Sequence, residues 1–148
     1  MTERSIRRHG RWRAAASALA IALLGGGALL VAPPANAAAT TYYVDSANGN
    51  DSAAGTSPAT AWKSFTPVNA HTFSGGDNIL LSRGGSWTGQ LSPRGSGTAG
   101  APITISAYGA GALPKISGAS VATGGAVQLQ NQSWWTIQNL DVSNNSGT

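Results

Sequence analysis

Four aspartates are the only side-chain carboxylic acids after residue 37, where glutamate is absent: Asp45, Asp51, Asp77 and Asp141. Hydrolysis of a glycosidic bond needs two carboxyl groups about 5 to 9.5 Å apart, one acid and one base or nucleophile. Asp45 and Asp51 flank Asn-Gly and Gly-Asn steps, which are typical of turns, and Asp77 follows a glycine pair. Turns favour aspartate for backbone hydrogen bonds. The sequence therefore predicts structural or solvated roles for all four and assigns no catalytic residue.

A polysaccharide lyase would need a group that neutralises a uronate carboxylate, often Ca²⁺, and a basic residue. The basic residues after position 37 are Lys63, Arg83, Arg94 and Lys115, and their type favours solvated surface positions. The loop from Asp45 to Asp51 has the oxygen-rich composition of a calcium loop. It lacks the EF-hand spacing and the closing glutamate. An Asx-turn loop is favoured over calcium, and no cofactor is predicted.

The aromatic residues and the histidine give a second set of candidates. His71 is the one histidine after residue 37, which argues against a histidine metal site or a Ser-His-Asp triad. Trp134 and Trp135 could stack on sugar rings. Adjacent strand residues face opposite sides, so one indole is expected outside and the other in the core. Trp62 and Trp87 are expected to pack around an N-terminal cap.

The positive charge is concentrated in the first residues of the chain. The formal net charge is +4, and five of the nine basic residues are arginines within residues 4–13. An apolar stretch runs from Ala14 to Ala32, and Ala35-Asn36-Ala37 has the small-x-small pattern of a signal peptidase site. Residues 1–37 are predicted to be a signal peptide, cleaved between Ala37 and Ala38, with cleavage after Ala39 as the alternative.

The remaining segment is neutral, with four basic and four acidic residues, so no nucleic-acid partner is expected. The predicted location is secreted, through the general secretory (Sec) route rather than the twin-arginine (Tat) route. No membrane contact is expected after cleavage, and a monomer is expected. The chain has no cysteine, which excludes disulfides and cysteine-based sites.

Short apolar alternations between glycine-rich turns predict an all-β fold. One helix is predicted near 66–72, with Thr66 as N-cap, Pro67 in the first turn and the Gly75-Gly76 pair ending the element. Apolar pairs recur every 24 residues: Ile79 and Leu81, Ile103 and Ile105, Val127 and Leu129. A parallel series contains Leu91, Ile116 and Leu140. This repeat predicts a β-solenoid in which residues 79, 103 and 127 stack, and an evenly spaced β-sandwich is the alternative.

Several motifs resemble the N-terminal region of secreted right-handed parallel β-helix proteins of the pectate-lyase-like superfamily. They include Tyr42-Tyr43-Val44-Asp45, Gly49-Asn50-Asp51, Ala61-Trp62-Lys63-Ser64, Gly76-Asp77-Asn78-Ile79-Leu80-Leu81 and Pro102-Ile103-Thr104-Ile105. The resemblance implies about three coils, a capping helix over the first coil, and a groove that binds extracellular polysaccharide. It divides the chain into a signal peptide (1–37), a strand, loop and cap (38–77) and the first coils (78–148), with truncation expected at the C-terminus.

Three functions follow as hypotheses. The first is the N-terminal part of an exported enzyme acting on polysaccharide, of lyase or glycoside hydrolase type. The second is a non-catalytic solenoid that serves in adhesion or carbohydrate binding, and the third is a small sandwich-type carbohydrate-binding module. A polar strip made of Thr104, Ser106, Gln128 and Gln130 would suit glycan hydrogen bonding in each.

Overall fold

The computed structural model describes residues 38–144, and the predicted signal peptide and its cleavage site lie outside or at the edge of this range. The elements are β1 (Thr41–Val44), a 3₁₀ turn (Pro58–Thr60), α1 (Phe65–Ala70), β2 (Thr72–Phe73), β3 (Asn78–Ser82), β4 (Ser86–Thr88), β5 (Arg94–Gly95), β6 (Ile103–Tyr108), β7 (Lys115–Ser117), β8 (Trp135–Ile137) and β9 (Asp141–Ser143). The expected all-β class is confirmed. Among residues 38–144, no helix is long and apolar enough to cross a membrane.

All pairs between these strands are parallel. They form three sheets with the orders β1-β3-β6-β8, β2-β5 and β4-β7-β9. Immunoglobulin-like sandwiches are built from antiparallel sheets, so this pairing disfavours the sandwich alternative. Because β1 pairs with β3, the predicted cap segment shares a sheet with the first strand of the following region.

Six of the nine apolar residues that the sequence singled out are buried, and Val127 and Leu140 pack against the core while partly exposed, but the expected 24-residue register is wrong. Ile79 lies beside Ile105 rather than Ile103, and Ile105 lies beside Ile137. Val127 is outside the named strands and bridges Leu91. In the second series, the partners of Ile116 are Trp87 and Val142, instead of Leu91 and Leu140. Loops of unequal length separate the strands, which shifts the partners while keeping the apolar side chains on the inner face.

The predicted helix exists in a shorter form and with a different cap. Its N-cap is Ser64, whose hydroxyl accepts a hydrogen bond from the Thr66 amide at 3.1 Å. The helix ends at Ala70, because His71 adopts an extended backbone and β2 follows at once. The expected N-cap at Thr66 and the expected stop at the Gly75-Gly76 pair are therefore wrong. Buried Phe65 and Val68 attach this helix to the core.

The core runs between the sheets and continues beneath the helix. Phe65 stacks on Trp87 with ring centroids 5.5 Å apart, and the indole N–H of Trp87 donates to the Lys63 carbonyl at 2.9 Å. Trp62 is as deeply buried as Trp87, with each exposing 6% of its surface. Both tryptophans therefore pack around the capping region, as predicted. The side chains with no exposed surface include Val44, Val68, Ile79, Leu81, Leu91, Ile103 and Ile105.

Candidate functional site

The outward side of the four-stranded sheet carries polar and aromatic residues in register. Tyr43, Leu80 and Ser106 form one row across β1, β3 and β6, and Ser82 lies beside Tyr108 in a neighbouring row. Alternation along a strand places these residues opposite the buried Leu81 and its neighbours. We call these five residues the outer face. The two tyrosines were not among the residues expected to contact a ligand, although their alternation with core residues could have indicated them.

The two tyrosines of the outer face contact each other edge to face, with ring centroids 5.1 Å apart and planes at 88°. Partial burial raises the pKa of Tyr108, and the charges of Asp45 and of the ionised Tyr43 phenol raise it further. Tyr108 therefore stays a neutral phenol, able to donate or accept a hydrogen bond, throughout the physiological pH range. This geometry suits polar contact with a ligand rather than proton transfer.

Asp45 closes the turn that follows β1. Its Oδ1 accepts from the amides of Ala47 at 2.9 Å and Asn48 at 3.1 Å, and its Oδ2 accepts from the Asn48 side chain at 3.2 Å. Partial burial alone would raise the pKa of Asp45, but the hydrogen bonds from Asn48 and Ala47 outweigh it and hold the pKa below its ordinary value. The predicted Asx turn is confirmed at this residue.

Asp51 connects the same loop to the start of α1. Its Oδ1 accepts from the amides of Lys63 at 2.7 Å and Ser64 at 2.8 Å, and its Oδ2 accepts from the Ser64 hydroxyl at 2.7 Å. Both carboxylates are thus occupied by protein donors. Among residues 38–144, no group of three His, Asp or Glu side chains is placed to hold a metal ion.

The other two aspartates lie apart from these. Asp77 is buried, with 6% exposure, and accepts from the amides of Thr40 and Ser74, both at 2.8 Å. Asp77 bonds to the amide of Thr40, which lies five residues before Asp45 along the extended chain. At ~3.3 Å per residue, this places Asp77 roughly 16 Å from Asp45. Asp141 is exposed in β9. The Asp45–Asp77 separation exceeds that of a glycosidase carboxyl pair. Asp45, Asp51 and Asp77 all bind backbone amides, which is one of the roles that the sequence favoured for them.

Trp134 and Trp135 divide between surface and core as predicted. Trp134 exposes 55% of its surface, while Trp135 packs against the core and its indole N–H donates to the Gly95 carbonyl at 3.1 Å. Trp134 has a φ of 60°, a left-handed conformation that is costly for a bulky side chain. Its carbonyl accepts from the Ile103 amide at 2.9 Å, which ties this strained residue to β6. Strain of this kind in a bulky residue is a reason to test for function.

The expected polar strip does not form as predicted. Ser106 is buried, with 7% exposure, and its hydroxyl accepts from the Asn139 side chain at 3.1 Å. Gln128 and Gln130 lie after the Leu91–Val127 bridge and outside the named strands, because the expected third repeat is not a strand of this sheet. Thr104 is half-buried in β6, with Thr136 as its β8 neighbour.

The remaining candidates occupy structural or surface positions. His71 packs among aromatic rings, 4.7 Å from the Tyr42 centroid and 4.6 Å from that of Phe73. Arg83 donates to the Gly111 carbonyl at 3.2 Å. The side chains of Lys63, Arg94 and Lys115 are exposed, which fits the expected surface role.

Comparisons with known proteins give partial matches to glycoside hydrolases. No family model matches the chain. A 70-residue segment is 47% identical to a lacto-N-biosidase of Bifidobacterium longum subsp. longum and covers 45% of this chain and 4% of that protein. A 62-residue segment is 39% identical to an alpha-1,3-galactosidase A of Akkermansia muciniphila and covers 42% of this chain and 10% of that protein. The chain thus matches only a small part of each relative's length.

A solved structure is similar over most of the described fold. The GH136 lacto-N-biosidase of Eubacterium ramulus, as its selenomethionine derivative, matches with a TM-score of 0.62 and 28% identity, over 74% of this chain and 21% of that chain. The native form of the same enzyme matches with a TM-score of 0.60 and 26% identity. These relatives support the glycoside hydrolase class over the lyase class.

The resemblance to the pectate-lyase-like superfamily is corrected by these matches. The solved and curated relatives are a GH136 lacto-N-biosidase and other glycoside hydrolases. The residues of the motifs that suggested the superfamily have general structural roles in this protein. Val44, Ile79 and Leu81 fill the core, and Asp51 binds backbone amides. Such residues support parallel strands and tight loops in any family, so they do not identify one.

Proposed function

We propose that this chain is part of an exported protein of glycoside hydrolase type, and that residues 38–144 contribute a glycan-contact surface centred on Trp134. The observation that carries the proposal is the exposed indole of Trp134, held in a left-handed conformation beside β8. The similarity to two glycoside hydrolases supports glycan as the ligand class.

An exposed indole can bind a glycan by stacking on a sugar ring. The face of a tryptophan ring offers a large apolar surface with little conformational freedom to lose, which suits stacking against the C–H face of a sugar ring. The carbonyl bond to Ile103 fixes the backbone that carries the ring.

We assign binding rather than proton transfer to this region. The carboxylates of Asp45, Asp51 and Asp77 are occupied by backbone donors, and Asp45 and Asp77 are too widely separated to work as an acid–base pair. The ligands that we propose are glycans with lacto-N-biose units or α-1,3-linked galactose, as suggested by the names of the relatives.

Export and the finer details of the fold belong to the same proposal. The arginine-rich start, the apolar stretch and the alanine-rich segment support secretion with cleavage either between Ala37 and Ala38 or after Ala39. The three parallel sheets support a coiled chain path, and right-handed crossovers are the rule between parallel strands. We therefore propose a right-handed parallel β-helix for this region, without membership of the pectate-lyase-like superfamily.

The experiment compares the secreted full-length protein with its Trp134→Gly variant. Glycine adopts a positive φ readily, so this change removes the indole while relieving backbone strain. Isothermal titration with the two glycan types should give affinity about tenfold weaker for the variant, a difference of roughly 1.4 kcal/mol. The melting temperature of the variant should stay the same or rise.

The matched control is Leu113→Ala, which removes exposed apolar surface beyond the far end of β6. Leu113 is 39% exposed and precedes β7. This variant should bind both glycans like the wild type. If Trp134→Gly binds with wild-type affinity, or if Leu113→Ala weakens binding equally, Trp134 is not the contact and the proposal fails.

A further inference from the structure

Asp77 holds a buried carboxylate whose hydrogen-bond donors within residues 38–144 are two backbone amides. Its Oδ1 accepts from the Thr40 amide and its Oδ2 from the Ser74 amide, both at 2.8 Å, and 6% of the residue is exposed. Burying a carboxylate is costly unless a charged partner or several donors compensate it. A cation at the position of the Thr40 nitrogen would supply such a partner.

Thr40 is also the point at which sheet pairing begins. Its carbonyl accepts from the Asn78 amide at 2.8 Å, directly before the Thr41–Asn78 pair of β1 and β3. The two preceding residues, Ala38 and Ala39, are exposed. Ala37-Ala38-Ala39 has small residues at both ends, the pattern that signal peptidase reads, so the bond after Ala39 is a chemically suitable cleavage site.

We propose that maturation of the exported chain leaves Thr40 as its first residue and that the new α-ammonium group binds the buried Asp77 carboxylate in a partly buried ion pair. Hydrolysis breaks the Ala39–Thr40 amide bond. The hydroxyl of water goes to the Ala39 carbonyl carbon, and the Thr40 nitrogen takes the remaining proton and one more from solvent. The inference rests on the proposed export of the chain and is independent of glycan contact by Trp134.

The ion pair would replace a neutral hydrogen bond with a charge-assisted one at the same atoms. An α-amino group ordinarily has a pKa of about 7.7 to 8.0, and pairing with Asp77 raises it. The stabilisation is therefore complete below pH ~7.7 and is lost as the pH rises through the raised value. Tyr42 is a titratable group close enough to Asp77 to feel its charge, and its ring packs against that of His71, with centroids 4.7 Å apart. Burial and then the Asp77 charge raise the pKa of Tyr42, so its phenol titrates above the amine's ordinary range.

The first test is the N-terminus of the protein secreted from cells that express the full chain. Intact-mass measurement and N-terminal sequencing should find Thr40 as the first residue. A product that begins at Ala38, or at any other residue, overturns the proposal even if the protein is exported and binds glycan.

The second test measures how fast the new amine reacts. An amine-acylating reagent at pH 8 labels the α-amine together with Lys63 and Lys115, which are exposed and serve as internal references in the same molecule. Each unit by which pairing raises the pKa lowers the reactive fraction of the α-amine by up to about tenfold. We expect labelling of the α-amine, relative to the two lysines, to be about tenfold slower in the native protein than in urea.

The variant Asp77→Asn gives the matched comparison, since it keeps an acceptor for the Thr40 nitrogen but removes the charge. In this variant the native and urea-denatured proteins should label the α-amine at similar relative rates. If Asp77→Asn does not fold, the native and denatured wild-type rates still decide the question. Equal relative rates in native and denatured wild-type protein overturn the ion pair.

Discussion

At the scale of single residues, aspartate carboxylates attach loops to the sheet edge. Asp45 binds amides two and three residues away, whereas Asp51 binds donors twelve and thirteen residues away. The Asn-Gly context predicted the local bonds, since an Asx turn is encoded within a few residues. The long-range hydrogen bonds of Asp51 form because the loop folds back toward Ser64. A local sequence pattern does not predict this fold of the loop.

Asp51→Asn should destabilise the protein by about 1 kcal/mol at neutral pH, because the amide keeps one acceptor oxygen but loses the charge. Partial burial would raise the pKa of Asp51, but hydrogen bonds from Ser64 and Lys63 outweigh it and hold the pKa below the ordinary value of 3.8. The carboxylate therefore stabilises the fold above that value and loses this effect as the pH falls through the lowered pKa. Urea unfolding at pH 7 and pH 3 should show the difference between variant and wild type shrinking in acid.

Asp141→Asn is the matched control for this change. Asp141 is exposed in β9, and its backbone amide, rather than its side chain, makes the contact to Pro114. Its replacement should change stability by less than about 0.5 kcal/mol. A loss at Asp141 equal to that at Asp51 would point to net charge, and not the Asp51 hydrogen bonds, as the cause.

At the scale of elements, the sequence predicted which side chains point to the inner face of each strand. It did not predict which residues pair between neighbouring strands. Apolar residues two apart point to one face of a strand whatever the loops do, and Ile79, Leu81, Ile103 and Ile105 are all buried. The stacking partners depend on loop length. From Ile79 to Ile105 the chain runs 26 residues, and from Ile105 to Ile137 it runs 32. A constant period of 24 could not describe these unequal loops.

Gly95→Ala should disrupt the pairing of β2 with β5. Gly95 has a φ of 110°, and a Cβ there would overlap the Phe73 carbonyl oxygen of the neighbouring strand. Backbone strain and overpacking together should cost about 3 kcal/mol in unfolding free energy. Gly109→Ala is the control, since Gly109 has a φ of 82° with no atom within 4 Å of the added Cβ. It should cost about 1 kcal/mol, and equal losses would mean that the Phe73 contact is unimportant.

At the scale of the whole molecule, composition and alternation were sufficient for the all-β class and for most of the core. They also placed one tryptophan outside and one inside, although strand alternation is not the reason, because Trp134 precedes β8 and has a left-handed backbone. They did not identify the relatives, since the same buried residues serve any parallel sheet. The candidate contact at Trp134 became specific only with its left-handed backbone and its bond to Ile103, which depend on tertiary structure.

Stability should decline along the sheet toward β8, and one type of substitution measures this. Ile105 and Ile137 are register partners, but Ile105 is fully buried and Ile137 is 42% exposed. Ile105→Ala should cost about 3 to 4 kcal/mol, as a buried cavity does, whereas Ile137→Ala should cost about 1 kcal/mol or less because much of its surface already meets water. Amide exchange should be slowest in β3 and β6 and faster in β8 and β9. If Ile137→Ala costs as much as Ile105→Ala in the 148-residue chain, the inner side of β8 is covered in solution, and the decline is absent.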